Sequence, residues 1–221
     1  MVTETFRLRI NISGSLTGWC SESPAFGKLQ NVSDQAKTTS NQIMYKRIYI
    51  ETQRTILRNL ETDDAERFYA LNLDKEVLKF TGDKPFENIQ TAKDFITNYD
   101  QYEKYGVGRL AVMEKITSKF IGWCGLKYSH DKDEYDIGFR FFRQYWNKGF
   151  ATETAKVCLE FGFNELGLCR IVGRAMKENI ASIKVLEKIG MTFKESFDFD
   201  GQEGEIFEIT NKEYEERSPN R

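Results

Sequence analysis

Three consecutive segments near the middle of the chain are predicted to be β-strands, and in the third the apolar residues recur with a period of two. The segments are 108–114, 120–128 and 134–142. In the third segment, alternate residues from Tyr135 to Phe141 are apolar, whereas Asp136 and Arg140 fall on the opposite face. Short polar turns join the segments, which is typical of an antiparallel meander. We expect one face of this meander to pack in the core and the other to face a polar environment.

Apolar residues at helical spacing flank the meander on both sides. Before it, the pattern predicts a strand at 55–60, a helix that begins at Asp63, a short helix at 76–79 and a helix around 92–99. The helix after Asp63 is expected to bury Ala65, Phe68, Tyr69 and Leu73. After the meander, the pattern predicts a helix from about 149 to 166, a strand at 170–176, a helix at 180–189 and two strands around the turn at 200–204. Periodicity alone indicates an α/β or α+β fold.

The first 45 residues differ in composition from the rest, being rich in Ser, Thr, Asn, Gln and Gly. Such a segment buries little apolar surface, so we expect a flexible extension and a chain starting at Met44 that still folds and works. An alternative stays open, because the apolar residues from Phe6 to Ile12 alternate with polar ones and could form an edge strand.

Charge and cysteine usage narrow the classes of function. With 32 basic and 34 acidic residues, the chain has no electrostatic reason to bind nucleic acid or an anionic membrane. Its four cysteines form no Cys-x-x-Cys pair and it has one histidine, His130, so we expect no metal site. Cys158 falls on the apolar face of its helix and is expected in the core. The chain has neither a signal-peptide pattern nor a long apolar run, so we expect a cytoplasmic protein.

The junction between the third strand and the long helix is the strongest chemical signal. The first turn of a helix has backbone N–H groups without intrahelical partners, and the helix dipole adds positive charge there. Gly149 and Ala151 let an anion approach the backbone, and Lys148 adds a positive charge, which predicts a pyrophosphate site. The alternative is an ordinary loop with Asn147 as the N-cap and Glu153 placed to suit the dipole.

This junction, Tyr145-Trp146 followed by Gly-Phe-Ala-Thr-Glu, resembles the acetyl-CoA loop of the GNAT superfamily, especially the branch of ribosomal-protein N-terminal acetyltransferases. Segments 52–58 and 166–190 also resemble that branch, in the same order. Trp146 stands where the superfamily usually has Gln or Arg. The resemblance implies a GNAT domain at 46–215 with a short tail at 216–221. It also implies a mixed, mostly antiparallel sheet flanked by helices, with an acetyl-CoA cleft where two strands splay apart.

The resemblance further implies the site residues. The cofactor would be bound by Phe141, Phe142, Arg143, Gln144, Trp146, Asn147, Lys148, Gly149, Phe150, Ala151, Thr152, Asn179 and Ser182. Backbone N–H groups near Phe141 and Phe142 would polarise the thioester carbonyl. Asp136 would be the general base, with Glu134 a weaker candidate, and Ser182 would give a proton to the sulfur. Each has an ordinary alternative: Asp136 as a solvated carboxylate, Asn179 as a helix N-cap, and Ser182 as its local partner.

Three functions stay open at this point. The first is an acetyl-CoA-dependent N-acetyltransferase in which a primary amine, of a small molecule or of a protein N-terminus, attacks the thioester directly. The second is a non-catalytic, acetyl-CoA-binding regulatory module. The third is a nucleotide-binding protein, which lacks a Walker-type Lys-Ser/Thr after its glycine. A Ser-His-Asp hydrolase is disfavoured because His130 falls in a predicted turn. We expect a monomer or homodimer, with 74–105 and the final hairpin selecting the acceptor.

Overall fold

The computed structural model describes residues 47–199 and 201–217. Its strands are β1 (Tyr49–Glu51), β2 (Thr55–Asn59), β3 (Arg109–Glu114), β4 (Phe120–Ser129), β5 (Glu134–Phe141), β6 (Arg170–Met176), β7 (Thr192–Phe199) and β8 (Gln202–Thr210). Its α-helices are α1 (Ala65–Leu71), α2 (Lys75–Leu78), α3 (Ile89–Thr97), α4 (Gln101–Tyr105), α5 (Phe150–Glu160), α6 (Ile180–Lys188) and α7 (Asn211–Arg217). A π-helical turn at Phe161–Glu165 continues α5, so the long helix predicted to end near 166 is present.

The strands form one sheet in the order β1-β2-β3-β4-β5-β6-β8-β7. Neighbouring strands are antiparallel, as the predicted meander requires, except that β5 and β6 run parallel. The two parallel strands are joined at one residue pair, Asp136 opposite Val172. By contrast, β4 and β5 stay paired along the whole of β5. The sheet therefore opens between β5 and β6 beyond Asp136, which is the predicted splay.

Helices cover both faces of the sheet. On one face, the apolar residues of β5 pack with α5 and α6, where Ile137, Cys158 and Leu186 are buried. On the other face, α1 and α3 pack over β3 and β4, where Phe68, Ile96 and Trp123 are buried. Cys158 is thus core, as predicted, with its Sγ 3.8 Å from that of Cys124. This second face also carries the polar residues of β5.

Several elements differ from the sequence predictions. The three-residue strand β1 and the helices α4 and α7 were not predicted, and α7 extends into the expected tail. Leu73 was expected in the core but is 48% exposed, because α1 ends at Leu71. The predicted edge strand at 6–12 lies outside the described residues. Among the helices of the described ranges, none has the length and apolar character needed to cross a bilayer.

Candidate active site

The opening between β5 and β6 exposes the backbone of β5. In an antiparallel pair, directly opposite residues alternate between hydrogen-bonded and non-bonded positions. The Phe142 N–H donates to the Ile121 carbonyl at 3.1 Å, so the next pair, Phe141 opposite Gly122, is a non-bonded one. The Phe141 N–H and C=O therefore point away from β4 into the opening. Of the two amides predicted to polarise a carbonyl, that of Phe142 is already engaged and that of Phe141 faces the gap.

The loop that leaves β5 is fixed by its own contacts. The Trp146 indole N–H donates to the Phe141 carbonyl oxygen at 2.7 Å, which confirms that this carbonyl faces the opening. Arg143 donates to Asp74 at 2.7 Å and so ties the loop to the N-terminus of α2. Gln144 and Lys148 are exposed beside the helix start.

Helix α5 begins with its backbone amides free of intrahelical acceptors. Gly149 is the N-cap, with φ of 82° in the left-handed region where glycine is favoured. The first helical bond runs from the Glu153 N–H to the Gly149 carbonyl at 2.9 Å, so the N–H groups of residues 150–152 have no partner within the helix. Asn147, the N-cap in the ordinary-loop interpretation, instead lies two residues upstream with φ of 56°. The ordinary-loop alternative therefore predicted the wrong N-cap residue. The Phe150 side chain is buried in the core, so its backbone N–H is the part of this residue left for the predicted anion site.

A half-buried ion pair, not expected from the sequence, holds the helix start in place. The Glu153 carboxylate accepts from Thr52 Oγ1 at 2.6 Å and from Arg54 Nε at 2.6 Å. Arg54 also donates to the Lys148 carbonyl at 2.9 Å and lies 4.2 Å above the Phe150 ring. These contacts connect the β1–β2 turn to the first turn of α5 and place a guanidinium beside the free amides.

The predicted base occupies the point where β5 and β6 last touch. Asp136 accepts from Arg174 Nη1 at 2.5 Å, while Glu134 accepts from Arg174 Nη2 and from Arg170 Nη2. Burial raises the pKa of Asp136 to about 6, although Arg174 opposes the shift. The solvated-carboxylate alternative for Asp136 is therefore wrong, since this side chain is largely buried and ion-paired. A pKa near 6 leaves it ionised at neutral pH and able to take a proton.

The predicted residues at the start of α6 show their structural roles. Asn179 is the N-cap, and its side-chain oxygen accepts from the Ser182 N–H at 3.2 Å. The capping alternative for Asn179 is thus realised. Both residues are half-buried at the beginning of α6, which directly follows β6. Their roles toward the cofactor stay predictions. His130 lies exposed in the β4–β5 turn, as expected.

Comparison with known proteins identifies the family. A sequence profile described as the acetyltransferase (GNAT) domain matches residues 54–192. The chain belongs to the GNAT acetyltransferase family. This acetyltransferase is 30% identical over 162 residues to the uncharacterized N-acetyltransferase p20 of Bacillus licheniformis, covering 72% of this chain and 90% of that protein.

Solved structures agree with the fold of the acetyltransferase. It is similar to a GNAT-family acetyltransferase from Bacillus anthracis, with a TM-score of 0.66, 25% identity and coverage of 74% of this chain and 99% of that one. It is also similar to spermidine N-acetyltransferase from Vibrio cholerae in complex with CoA and spermine, with a TM-score of 0.64, 19% identity and coverage of 74% and 99%. The predicted family, fold class and N-acetyltransferase activity are confirmed, and the non-catalytic alternative gains no support.

The acetyltransferase has an open groove on the α1–α3 face, with a volume of about 510 Å³. It is lined by Phe86, Thr91, Asp94, Phe95, Asn98, Tyr99, Asp100, Gln101 and Lys127. Lys127 lies directly opposite Asp136 in the β4–β5 register, so one lining residue of the groove is a neighbour of the candidate base. Arg140, on the same face, binds Asn72 and donates to Asp83 at 2.6 Å. This ion pair holds the α2–α3 loop over β5.

Proposed function

We propose that this acetyltransferase moves the acetyl group of acetyl-CoA to a primary amine by direct attack on the thioester. The observation that carries the proposal is the single pairing of β5 with β6. The strands part beyond Asp136, so Asp136 lies where the opening begins, the Phe141 backbone faces it, and α5 with its free amides follows β5 after a short loop. Acetyl-CoA supplies an activated acetyl group and a thiol leaving group.

The residues around the opening fit the phosphate-bearing part of acetyl-CoA. Backbone amides at 150–152 carry the positive end of the α5 dipole, and Gly149 presents no side chain between them and an anion. A Cβ at Gly149 would come within 3.4 Å of Arg54 Nη2, which places this guanidinium beside the same amides. Arg54 and Lys148 would add positive charge for the pyrophosphate.

Three protein groups would take separate parts in the transfer of the acetyl group. The Phe141 N–H would donate to the thioester oxygen and lie ready for the negative charge that develops there. Asp136 would take the proton that the amine loses as its nitrogen bonds to the acetyl carbon. Ser182 would donate to the sulfur as the carbon–sulfur bond breaks. The acceptor would enter by the groove, whose lining residue Lys127 lies opposite Asp136 in the β4–β5 register.

A screen with a free-thiol readout tests this proposal. The purified protein is mixed with acetyl-CoA and with single amines or short peptides, and acetylated products are identified by mass spectrometry. We expect thiol release above the hydrolysis background with at least one primary amine, and none of it with the Gly149→Glu variant. Tight acetyl-CoA binding by calorimetry, without acetylation of any amine or peptide, would instead show a cofactor-binding module.

A further inference from the structure

Arg109 is a half-buried cation on the acceptor side without a carboxylate of its own. Its register partner is Gly125 in β4, so it shares a face with Trp123 and Lys127. Across residues 47–199 and 201–217, no carboxylate oxygen lies within 4.0 Å of its guanidinium. Arg140, two strands away, is paired with Asp83. Arg109 is therefore the arginine of strands β3 to β5 that has no carboxylate partner within the described residues.

Aromatic rings hold the Arg109 guanidinium in place. Its Cζ lies 4.8 Å from the Trp123 ring centroid and 5.5 Å from that of Phe95. Its backbone is fixed on both sides, because Arg109 N donates to the Tyr99 hydroxyl at 3.0 Å and Tyr102 donates to the Arg109 carbonyl. Rings stabilise a cation but accept few of its five N–H bonds. Phe95 and Tyr99 line the groove and also contact Arg109, so Arg109 lies next to two residues of the groove wall.

A second donor in the same cluster also lacks an acceptor. Trp123 is 6% exposed, and no atom of the described part of the chain accepts from its indole N–H. A buried donor without an acceptor is costly, and such groups in folded proteins usually meet a ligand or ordered water. Arg109 stacks on this very ring. Beside Phe95 and Tyr99 of the groove there are therefore an indole N–H without an acceptor and a guanidinium without a carboxylate among the described residues.

The two carboxylates that line the groove lie on its helical side and have hydrogen-bond partners there. Asp100 binds Lys104 at 2.5 Å and Asp94 accepts from Gln90 at 2.8 Å. Lys127 adds a further exposed cation. On β3 and β4, Arg109 and Lys127 are cations that have no carboxylate within 4.0 Å among the described residues, which favours an acceptor that carries a negative charge.

We propose that the acceptor amine carries a carboxylate, which Arg109 and the Trp123 N–H bind while the amine faces Asp136. This inference rests on the proposed function and names the substrate class. A carboxylate accepts only, and its two oxygens match the guanidinium fork. From strand spacing and rise, the Arg109 and Asp136 backbones are about 12 Å apart. The long arginine side chain can cover part of this distance. A molecule the size of an amino acid would span the remainder, and a polyamine would place positive charge against Arg109.

The test compares acceptors that differ by one carboxylate. We would measure kcat/KM for lysine and cadaverine, for tyrosine and tyramine, and for a dipeptide with a free or amidated C-terminus, with acetyl-CoA saturating. In the parent protein, the better pair should favour the carboxylate form about ten-fold or more. In Arg109→Gln, the ratio of kcat/KM between the two acceptors of a pair should fall to near one, because kcat/KM for the acceptor with the carboxylate falls. Arg109→Lys should keep part of the preference.

The controls separate this inference from a general charge effect or a folding defect. Lys93→Gln removes the same charge from an exposed position of α3 and should leave the ratio unchanged. Acetyl-CoA affinity and circular dichroism should match the parent in each variant. Equal or better use of cadaverine, tyramine or spermidine by the parent protein would overturn the inference while the proposed function stands. Absence of turnover with every amine would overturn both.

Discussion

Replacing Asp136 by Asn should slow the reaction and stabilise the protein above pH 6. Asp136 is 24% exposed and its pKa is raised from 3.8 to about 6 by burial, against the opposing effect of Arg174. Because the pKa is higher in the folded than in the unfolded state, the folded protein holds this proton more tightly. The parent therefore loses stability as the pH rises from about 4 to about 6, and the loss persists above pH 6.

The size of this effect follows from the shift. Two pH units correspond to about 3 kcal/mol of unfolding free energy. Water reaches part of the side chain and screens the charge, so we expect about 1–2 kcal/mol. Asparagine has the same shape and keeps an oxygen for Arg174, so Asp136→Asn should avoid this loss. Removal of a general base should meanwhile lower turnover about 10² to 10⁴-fold.

Two measurements check this reasoning. In urea unfolding between pH 4 and pH 8, the free energy of unfolding of Asp136→Asn should increase relative to that of the parent as the pH rises from 4 to 6. The turnover of Asp136→Asn should no longer rise near pH 6. Glu134→Gln is the matched control: it also loses a carboxylate bound by Arg174, but it should lower stability and keep the pH profile of turnover. An Asp136→Asn protein that is less stable than the parent at pH 7.5, with an unchanged rate profile, would refute the assignment.

Other variants probe the cofactor side. Gly149→Glu should abolish acetyl-CoA binding in calorimetry, whereas Gly149→Ala should bind more weakly and lose about 1–2 kcal/mol of stability, because φ is 82° there. Glu153→Gln should cost about 1–3 kcal/mol in unfolding experiments and weaken acetyl-CoA binding, since Arg54 loses its charged partner. Ser182→Ala should lower turnover less than Asp136→Asn and keep the lower limb of the pH profile; unchanged turnover would leave this serine a structural residue of α6.

The central part of the fold was predictable because its signals are local. Alternation predicted β5, apolar segments between short polar turns predicted β3 and β4 within a residue or two, and helical spacing predicted α5 with its Gly149 start. The elements that were missed have weak local signals. Strand β1 has three residues, and α7 is polar, with Tyr214 its residue packed on the core.

The ion pairs of the site were not predictable, because their partners are distant in sequence. Glu153 fitted the helix dipole on local grounds, but Arg54 lies 99 residues away and meets it through the β1–β2 turn. Asp136 and Arg174 are 38 residues apart and meet because β6 runs parallel to β5. No sequence motif marks Arg109, because what distinguishes it is the absence of a nearby carboxylate in the folded protein.

The single pairing between β5 and β6 has a consequence for cohesion of the domain. Beyond Asp136, the two halves of the sheet are connected by the helices packed on them and not by backbone hydrogen bonds. A ligand that hydrogen-bonds to the free edge of β5 would take the place of a paired strand there. It would add contacts between the β5 half and the β6 half of the sheet. A ligand that binds only the folded chain contributes about 2.7 kcal/mol at a hundred times its Kd. The supply of acetyl-CoA would thereby govern how long this protein survives unfolding and proteolysis, in addition to how fast it works.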